Sequence, residues 1–287
     1  MRATMHNGRY SKDGVYNAKH NDRQFNLQHA PHINTDKTDK NYYTHRYMRT
    51  APNLSFEDAE KKFYKDVFSA ALAAQNERYI KNGHRERCKT TEDLRLNPRT
   101  CPEETIMAIG KKGDTIDIDT LKSIIKKQIK FEKEYYPNVI YLDVALHVDE
   151  EGAPHFHARK VWVAHNQDGF IVSQNKALQE MGVEAPNPTQ PITRYNNPKM
   201  TYSVICREHF LELCYAHGIA VEDRPQEPSR SGLSLIEYKN RQEVERQTQE
   251  LKNIEVQIKE LKNNIQLQKE LEKTKKQLRQ HSYEYER

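Results

Sequence analysis

The chain has 287 residues, of which 36% are hydrophobic and 30% are charged, and its mean hydropathy is −1.01. This balance predicts one modest core with much solvated helix and argues against two full globular units. The sequence contains no run of eighteen apolar residues and no apolar N-terminal stretch of a signal peptide, and its four cysteines lack CxxC spacing, so we expect a cytoplasmic protein with free thiols.

The net charge of +5 is unevenly distributed along the chain. Residues 1–50 contain nine Lys or Arg against four Asp, so this arm alone carries +5, and it also holds five of the thirteen histidines. A basic, histidine-rich arm suits contact with a phosphate backbone. Its interspersed aromatic residues argue against a disordered tail, although it has little helical periodicity and many turn formers.

Helices and strands are predicted after this arm. Apolar residues recur at helical spacing from Phe56, where Ser55 and Asp58 form a capping box. The polar stretch 76–100 predicts a loop or a frayed helix end. The later elements, in chain order, are a strand at 104–110, a helix capped by Asp119 that ends near Tyr135, strands at 139–148 and 155–164, at most a short helix near 174–181, and a helix at 200–217.

The C-terminal segment has a different pattern. From about residue 236 the apolar residues fall on alternating steps of three and four, with Glu, Lys, Gln and Asn between them. This periodicity predicts a coiled coil within 233–287. We expect the coil to join two copies of the chain, and a helix that folds back on the first domain is the alternative. The main stripe comprises Val244, Leu251, Ile254, Ile258, Leu261 and Ile265.

The densest group of chemically active residues spans the two central strands. His155 and His157 are two residues apart on a strand, so both side chains point to the same face. His147 ends the preceding strand and can reach that face across the turn. Three neutral imidazoles beside Asp149 and Glu150 predict a divalent metal site with open positions. A histidine-rich surface hairpin without metal is the alternative.

Several further motifs occur in a fixed order before and within this hairpin. They are His20-Asn21-Asp22-Arg23 (H-N-x-R), His32-Ile33-Asn34, Asn41-Tyr42, and the metal motif H-x-D-E-x-x-P-H-x-H with one extra residue between Glu150 and Pro154. In these residues, over about 1–225, the chain resembles the Mob/Pre (MobV-type) family of plasmid mobilisation relaxases, also called plasmid recombination enzymes.

The resemblance implies a fold and an activity. The fold would be α+β, of the histidine–hydrophobe–histidine (HUH) endonuclease type: an antiparallel sheet with helices on one side over 1–225, followed by the coiled-coil helix of 233–287. The activity would be metal-dependent nicking of one DNA strand at an origin of transfer, with a covalent 5′-phosphoryl-histidine adduct and religation. The partners would be plasmid DNA, single-stranded or as an extruded hairpin, a second copy of the chain, and conjugative coupling machinery at the membrane.

The resemblance also implies roles for individual residues. His20 would be the nucleophile, Arg23 would hold a phosphate oxygen, and Glu150 would orient a metal ligand or the nucleophile. Mn²⁺ or Mg²⁺ would be bound by His147, His155 and His157. The residues expected to contact DNA are Arg9, Lys19, Asn21 and Arg46.

Alternative assignments stay open at this point. His6-Asn7-Gly8-Arg9 also matches H-N-x-R, but only His20 is followed at the right distances by the later motifs. A tyrosine nucleophile (Tyr42, Tyr43 or Tyr47) would favour a rolling-circle replication initiator or a transposase with the same metal site. A non-enzymatic, dimeric DNA-binding protein would need no metal. The basic arm argues against a small-molecule metal hydrolase, and the sequence has no P-loop or GxGxxG motif for a nucleotide cofactor.

Overall fold

The computed structural model describes residues 1–11, 14–15, 18–30, 32–110, 116–150 and 152–221, and 21 residues between 244 and 275, all of them helical. Contacts divide the chain into two units, Met1–Asp223 and Arg224–Arg287. The roles predicted for 1–225 and 233–287 stay predictions. Within the described residues, no helix has both the length and the apolar character needed to cross a bilayer.

An antiparallel sheet forms the centre of the first unit. In the part of the chain that the structure describes, its strands are β1 (Ala3–Gly8), β4 (Tyr42–His45), β5 (Glu103–Ile109), β6 (Val139–His147), β7 (His155–Asn166) and β8 (Gly169–Val172), and a separate small hairpin comprises β2 (Tyr10–Ser11) and β3 (Gly14–Val15). The order across the sheet is β1-β5-β7-β6-β4, with β8 paired to β7. The predicted antiparallel sheet and its three predicted strands are confirmed.

In the described part of the first unit, the α-helices are α1 (Ala18–Asn21), α2 (Phe56–Lys81), α3 (Thr91–Leu96), α4 (Ile118–Tyr135), α5 (Gln174–Glu180) and α6 (Pro198–Ala216). Helix α2 begins as predicted, because the Ser55 side chain accepts the N–H of Asp58. A loop or a frayed helix end was predicted for 76–100: α2 does end within this stretch, at Lys81, but α3, which begins with a capping box of Thr90 and Asp93, was not predicted. Helix α4 is capped by Asp117 rather than by Asp119.

Helices cover both faces of the sheet. Alternate residues of a strand point to opposite faces, and in β7 Phe156 and Trp162 pack in the core that includes Ile124 of α4 and Phe210 of α6. The intervening Val161 packs with α2 in a second cluster. The expectation of helices on one side is therefore corrected. His155 and His157 share the α2 face with Val161.

The N-terminal arm contains structure that its sequence did not predict. Strand β1 pairs with β5 at one edge of the sheet, and β4 pairs with β6 at the other. Helix α1 lies between these two strands in the sequence, and its Ala18 packs against Phe56 of α2 and Ala145 of β6. The arm therefore crosses the α2 face of the sheet and brings α1 close to the end of β6.

Candidate metal and nucleophile site

Four histidines lie together where β6 ends and β7 begins. His147 lies opposite His155 in the strand register, and His157 lies opposite Ala145. The ring centroids of the three strand histidines are 4.7 to 5.5 Å apart. The ring of His20, on α1, lies 5.7 Å from those of His147 and His157. The structure therefore brings together the four histidines that the sequence singled out.

Each strand histidine uses one ring nitrogen to bind the protein. His147 Nε2 lies 2.9 Å from the Asn21 carbonyl oxygen, His155 Nδ1 lies 3.1 Å from that of Ala153, and His157 Nδ1 lies 3.1 Å from Glu104 Oε1. These contacts, at 2.9 to 3.1 Å, are shorter than those of His147 Nδ1 and His155 Nε2 with Glu150, at 3.4 and 3.6 Å, so we assign the proton of the neutral ring to these three nitrogens. The other nitrogen of each ring therefore keeps its lone pair.

Two of these lone-pair nitrogens are buried without a partner. Among the described residues, His147 Nδ1 and His157 Nε2 make no hydrogen bond. Leaving a buried polar atom unpaired costs about 1–3 kcal/mol. We therefore expect these two nitrogens to bind a ligand. A divalent cation fits this arrangement. Histidine binds a metal through an unprotonated ring nitrogen, and the other nitrogen of the ring is almost always held by a hydrogen bond.

The donor atoms form two overlapping groups. His20, His147 and His157 make one group, and His147, Glu150 and His155 make the other, with the donor atoms of each group within 4.8 Å of one another. Imidazole with one carboxylate suits Mn²⁺ or Zn²⁺, and additional oxygen ligands from a phosphate would favour Mn²⁺ or Mg²⁺. The residues thus fit a divalent metal that retains open positions.

Glu150 lies among these rings. Its carboxylate oxygens are 3.4 Å from His20 Nε2, 3.4 Å from His147 Nδ1 and 3.6 Å from His155 Nε2. Burial alone would raise the pKa of Glu150, but the contacts with His147 and His20, the nearby His155 ring and the Arg23 guanidinium hold that pKa well below its usual range. Burial lowers the pKa of His155 to about 4, so its ring is neutral at pH 7.

Arg23 is placed differently from the expected phosphate ligand. Its side chain is 4% exposed, and its backbone φ of 60° lies in the left-handed region that non-glycine residues rarely adopt. The guanidinium donates to Asp149 at 2.6 and 3.2 Å, to Glu150 at 2.9 Å and to the carbonyl of His20 at 2.9 Å. Four of its five N–H groups are used in this way. Arg23 therefore connects the His20 segment to the turn of the candidate metal site.

Asn21 also takes a different place from the predicted DNA contact. The residue is 1% exposed, and its Nδ2 donates to Glu104 Oε1 at 2.7 Å. Its carbonyl accepts the proton of His147 Nε2, as described above. Asn21 thus links α1 to His147 and, through Glu104, to His157 from inside the protein.

Glu104 is a site residue that the sequence analysis did not identify. The same carboxylate oxygen accepts hydrogen bonds from His157 and Asn21. Burial alone would raise the pKa of Glu104, but these two donors lower it to about 2. The sequence did carry a signal, because Glu104 lies within a predicted strand. A carboxylate that is buried in a strand requires a partner.

The intermediate motifs hold the metal-binding turn in place. Ile33 forms a backbone bridge with Glu150, and the Asn34 N–H donates to the Asp149 carbonyl at 2.7 Å. Asn41 Oδ1 accepts the Val148 N–H at 2.8 Å. Both motifs, His32-Ile33-Asn34 and Asn41-Tyr42, therefore contact residues 148–150. This contact accounts for their set distances from H-N-x-R along the chain.

The three candidate tyrosines differ in position. Tyr43 is near the site, with its ring 6.5 Å from that of His147, and its hydroxyl accepts a hydrogen bond from Asn41. Tyr42 lies on the opposite face, under Lys122 of α4. The Tyr47 hydroxyl donates to Asp66 of α2. Of these three tyrosines, Tyr43 alone is adjacent to the histidines.

The remaining predicted DNA ligands lie in separate places. Arg9 is 15% exposed in its side chain and donates to the Arg99 carbonyl at 2.5 Å, so it belongs to an internal network. Lys19 is half-exposed beside His20 and pairs with Glu57 at 3.2 Å. Arg46 is exposed and follows β4, with its guanidinium 5.6 Å from the Phe63 ring centroid. Lys19 and Arg46 therefore remain accessible to a ligand.

Comparison with known proteins identifies the fold. No family model and no curated protein matches the sequence. Among the similar solved structures are two of the MobM relaxase domain (MOBV; Mob_Pre), with Mn bound and in complex with oriT DNA of plasmid pMV158. The TM-scores are 0.50 and 0.51 at 15% identity, over 84% of this chain and over 99% and 98% of those chains. The chain therefore has the fold of that relaxase domain, as the resemblance of its motifs implied.

Proposed function

We propose that this chain is a plasmid mobilisation relaxase that nicks one DNA strand at an origin of transfer. One observation carries the proposal: the donor atoms of His20, His147 and His157, and those of His147, Glu150 and His155, form two overlapping groups in which the donor atoms lie within 4.8 Å of one another. The relaxase domain that shares the fold has Mn and oriT DNA bound in its solved structures, which supports the choice of metal and substrate.

The proposed metal ligands are His147, His155 and His157, with Glu150 beside them and Mn²⁺ or Mg²⁺ as the ion. Such an ion supplies charge neutralisation on the scissile phosphate. The ligand side chains are at most 17% exposed, whereas that of His20 is 40% exposed. The histidine that DNA can reach is thus the one that the motifs assign as nucleophile.

The proposed step is a transesterification. A nitrogen of His20 forms a bond to phosphorus, and the bond from phosphorus to the 3′ oxygen breaks. The ring gives up a proton and the leaving oxygen gains one, so the products are a 3′-OH and a 5′-phosphoryl-histidine. Attack by a 3′-OH reverses the step and rejoins the strand. Glu150 would orient the His20 ring, and Arg23 would position both.

The test is a covalent-adduct assay. Supercoiled DNA that carries the region upstream of the chain's own gene is incubated with protein and Mn²⁺, then resolved under denaturing conditions. We expect a nick with protein on the 5′ end that His20→Ala abolishes. The matched control is His6→Ala, because His6 heads the second H-N-x-R match but lies on β1 opposite Ile106, and that variant should nick normally.

The stability of the adduct separates the nucleophiles. A phosphoramidate is lost in acid and stable in alkali, whereas a tyrosine adduct survives acid. An acid-stable adduct that Tyr43→Phe removes would favour a replication initiator or transposase and contradict the role of His20. No adduct, with DNA binding intact, would favour the non-enzymatic alternative.

Metal binding separates two roles of His20. If His20 is the nucleophile, His20→Ala should retain the Mn²⁺ affinity of the unmodified chain, since three strand histidines still bind the ion. A large loss of affinity would make His20 a metal ligand instead.

We further propose that the C-terminal coil joins two copies of the chain and that the DNA-bound protein meets conjugative coupling machinery.

A further inference from the structure

A basic groove runs along the β4 edge of the sheet, outside the histidine site. It is a cavity of about 700 Å³ whose floor is the β6 segment 141–144. One side is formed by the turn that follows β4 and the other by α4. The cations that line it, which define the basic groove here, are Arg46, Arg49, Lys126, Lys130 and Lys133.

The cations on α4 follow helical spacing. Lys126, Lys130 and Lys133 are at positions i, i+4 and i+7, so their side chains form one stripe along the helix. All three are exposed, as are Arg46 and Arg49 on the opposite side. The two sides of the groove therefore present positive charge to the same space.

Most of these charges lack a counterion. Lys130 lies 3.7 Å from Glu134, but among the described residues Arg46, Arg49, Lys126 and Lys133 have no carboxylate within 4.0 Å. Burial lowers the pKa of Lys133, and the charge of Arg46 lowers it further. The acid on the floor, Asp143, is already paired with Arg159. Neighbouring cations that repel one another and mostly lack a carboxylate partner favour an external anion.

The groove lies within reach of DNA held at the histidine site. Its floor residues are three to six positions before His147 on the same strand, which corresponds to roughly 10–20 Å. B-form DNA rises about 3.4 Å per base pair, so this distance spans about three to six base pairs. A neighbouring cavity lined by Asp22 and Tyr43 shares His45 and Met48 with the groove, which connects the two regions.

The lining chemistry indicates the form of the DNA. Proteins that bind single strands stack bases on exposed aromatic rings. Among the described residues of the groove, the rings of Tyr141 and His45 are both buried. Flexible cations without stacking surfaces suit phosphates alone. We propose that the basic groove binds the phosphodiester backbone of double-helical DNA three to six base pairs from the nick, an inference that rests on the proposed function for the identity of the substrate.

The test measures binding separately from nicking. The full chain and the triple variant Lys126→Gln/Lys130→Gln/Lys133→Gln are titrated with a 20-base-pair duplex of arbitrary sequence and with a 20-nucleotide single strand. The control variant, Lys81→Gln/Arg85→Gln/Lys89→Gln, loses the same charge from exposed residues at the end of α2 and after it. Mn²⁺ binding and nicking of a short single-stranded substrate are measured on each protein.

We expect the groove variant to lose about 10-fold or more in duplex affinity at ~0.1 M salt. Its slope of log K against log salt should fall by roughly 2–3, since each lost phosphate contact removes about 0.9. The control variant should change little, and nicking of the single strand should be kept. Equal losses in both variants would overturn the inference, as would an equal loss on single strands. If the unmodified chain does not nick but the groove variant alone loses duplex binding, the proposed function fails and the groove stands.

Discussion

At the scale of single residues, the site depends on a second layer of oxygen acceptors. The Asn21 carbonyl, the Ala153 carbonyl and Glu104 each accept the proton of one metal-site imidazole. Such acceptors select the tautomer and make the facing nitrogen a better donor to a metal. Of the three acceptors, Glu104 should affect metal binding most, because it alone is an anion and it also accepts a hydrogen bond from Asn21.

The first prediction concerns this carboxylate. Glu104→Gln should weaken Mn²⁺ binding by about 10-fold or more, since losing a carboxylate behind a metal histidine typically costs 10- to 100-fold in affinity. Isothermal titration of the purified variant measures the change without any DNA present.

The matched control is Glu103→Gln. Glu103 is equally buried on the same strand but on the opposite face, where it contacts Lys199 and Lys160. That variant should lose stability and keep its Mn²⁺ affinity. If both variants weaken metal binding alike, the effect comes from general destabilisation and the role of Glu104 is disproved.

At the scale of elements, α1 is too short to hold its own position. It comprises four residues, Ala18–Asn21, and isolated helices of that length are unstable in water. The next residue, Asp22, accepts the Phe56 N–H at 2.7 Å and so contacts the first turn of α2. The long helix therefore supports the segment that carries His20.

The second prediction follows from this contact. Asp22→Ala should cost about 1–3 kcal/mol of stability and should reduce nicking by ~10-fold or more, because His20 loses its fixed position. Ser55→Ala is the control: the Ser55 side chain caps the same helix through its hydrogen bonds with Asp58, and its loss costs about 1 kcal/mol. Chemical denaturation and single-strand nicking are measured for both. Equal nicking by the two variants would contradict the coupling.

Local pattern was sufficient to predict the central elements and the histidine hairpin. The HxH spacing on a strand places two rings on one face regardless of what surrounds it, and α2 has its cap and its apolar period within its own sequence. The edge strands β1 and β4 are short and pair on one side only, so they lack a strong alternating pattern. The roles of Arg23, Asn21 and Glu104 depend on hydrogen bonds between residues that are 53 to 127 positions apart in the sequence. No local pattern encodes such contacts.

At the scale of the whole molecule, a buried ion pair lies between the sheet and its outer helices. Lys160 of β7 and Glu132 of α4 have fully buried side chains, 3.3 Å apart, and Tyr202 of α6 contacts both. Removing one partner of a buried pair leaves the other charge uncompensated. The core on this face thus depends on ionisation as well as on apolar packing.

The third prediction concerns acid stability. Burial alone would raise the pKa of Glu132, but Lys160 and hydrogen bonds lower it below its usual 4.5. A carboxyl whose pKa is lower when folded stabilises the chain fully above its usual value, and this stabilisation is lost as pH falls below it. Glu132→Gln should therefore cost about 3 kcal/mol near pH 7 and should show a smaller further loss between about pH 5 and 3. Denaturation across that range measures it, and an unchanged slope would refute the assignment.

The fourth prediction concerns the assembly of two chains. Residues 250–261 are helical, and their apolar stripe is exposed: Leu251 by 62%, Ile254 by 49%, Ile258 by 46% and Leu261 by 60%. A stripe with steps of three and four suits a partner helix in a coiled coil. We expect light scattering to show a dimer for the full chain and a monomer after truncation at about residue 232, with nicking retained.

A pair of point variants tests the same stripe in the full chain. Ile258→Asp places a charge within the expected seam, whereas Val256→Asp places it on the outer surface of the same helix, where Val256 is already 57% exposed. The first variant should dissociate the dimer, because burying an unpaired carboxylate in an apolar seam costs several kcal/mol, and the second should not. A monomeric unmodified chain, or equal effects of the two variants, would mean that the coil does not join two copies.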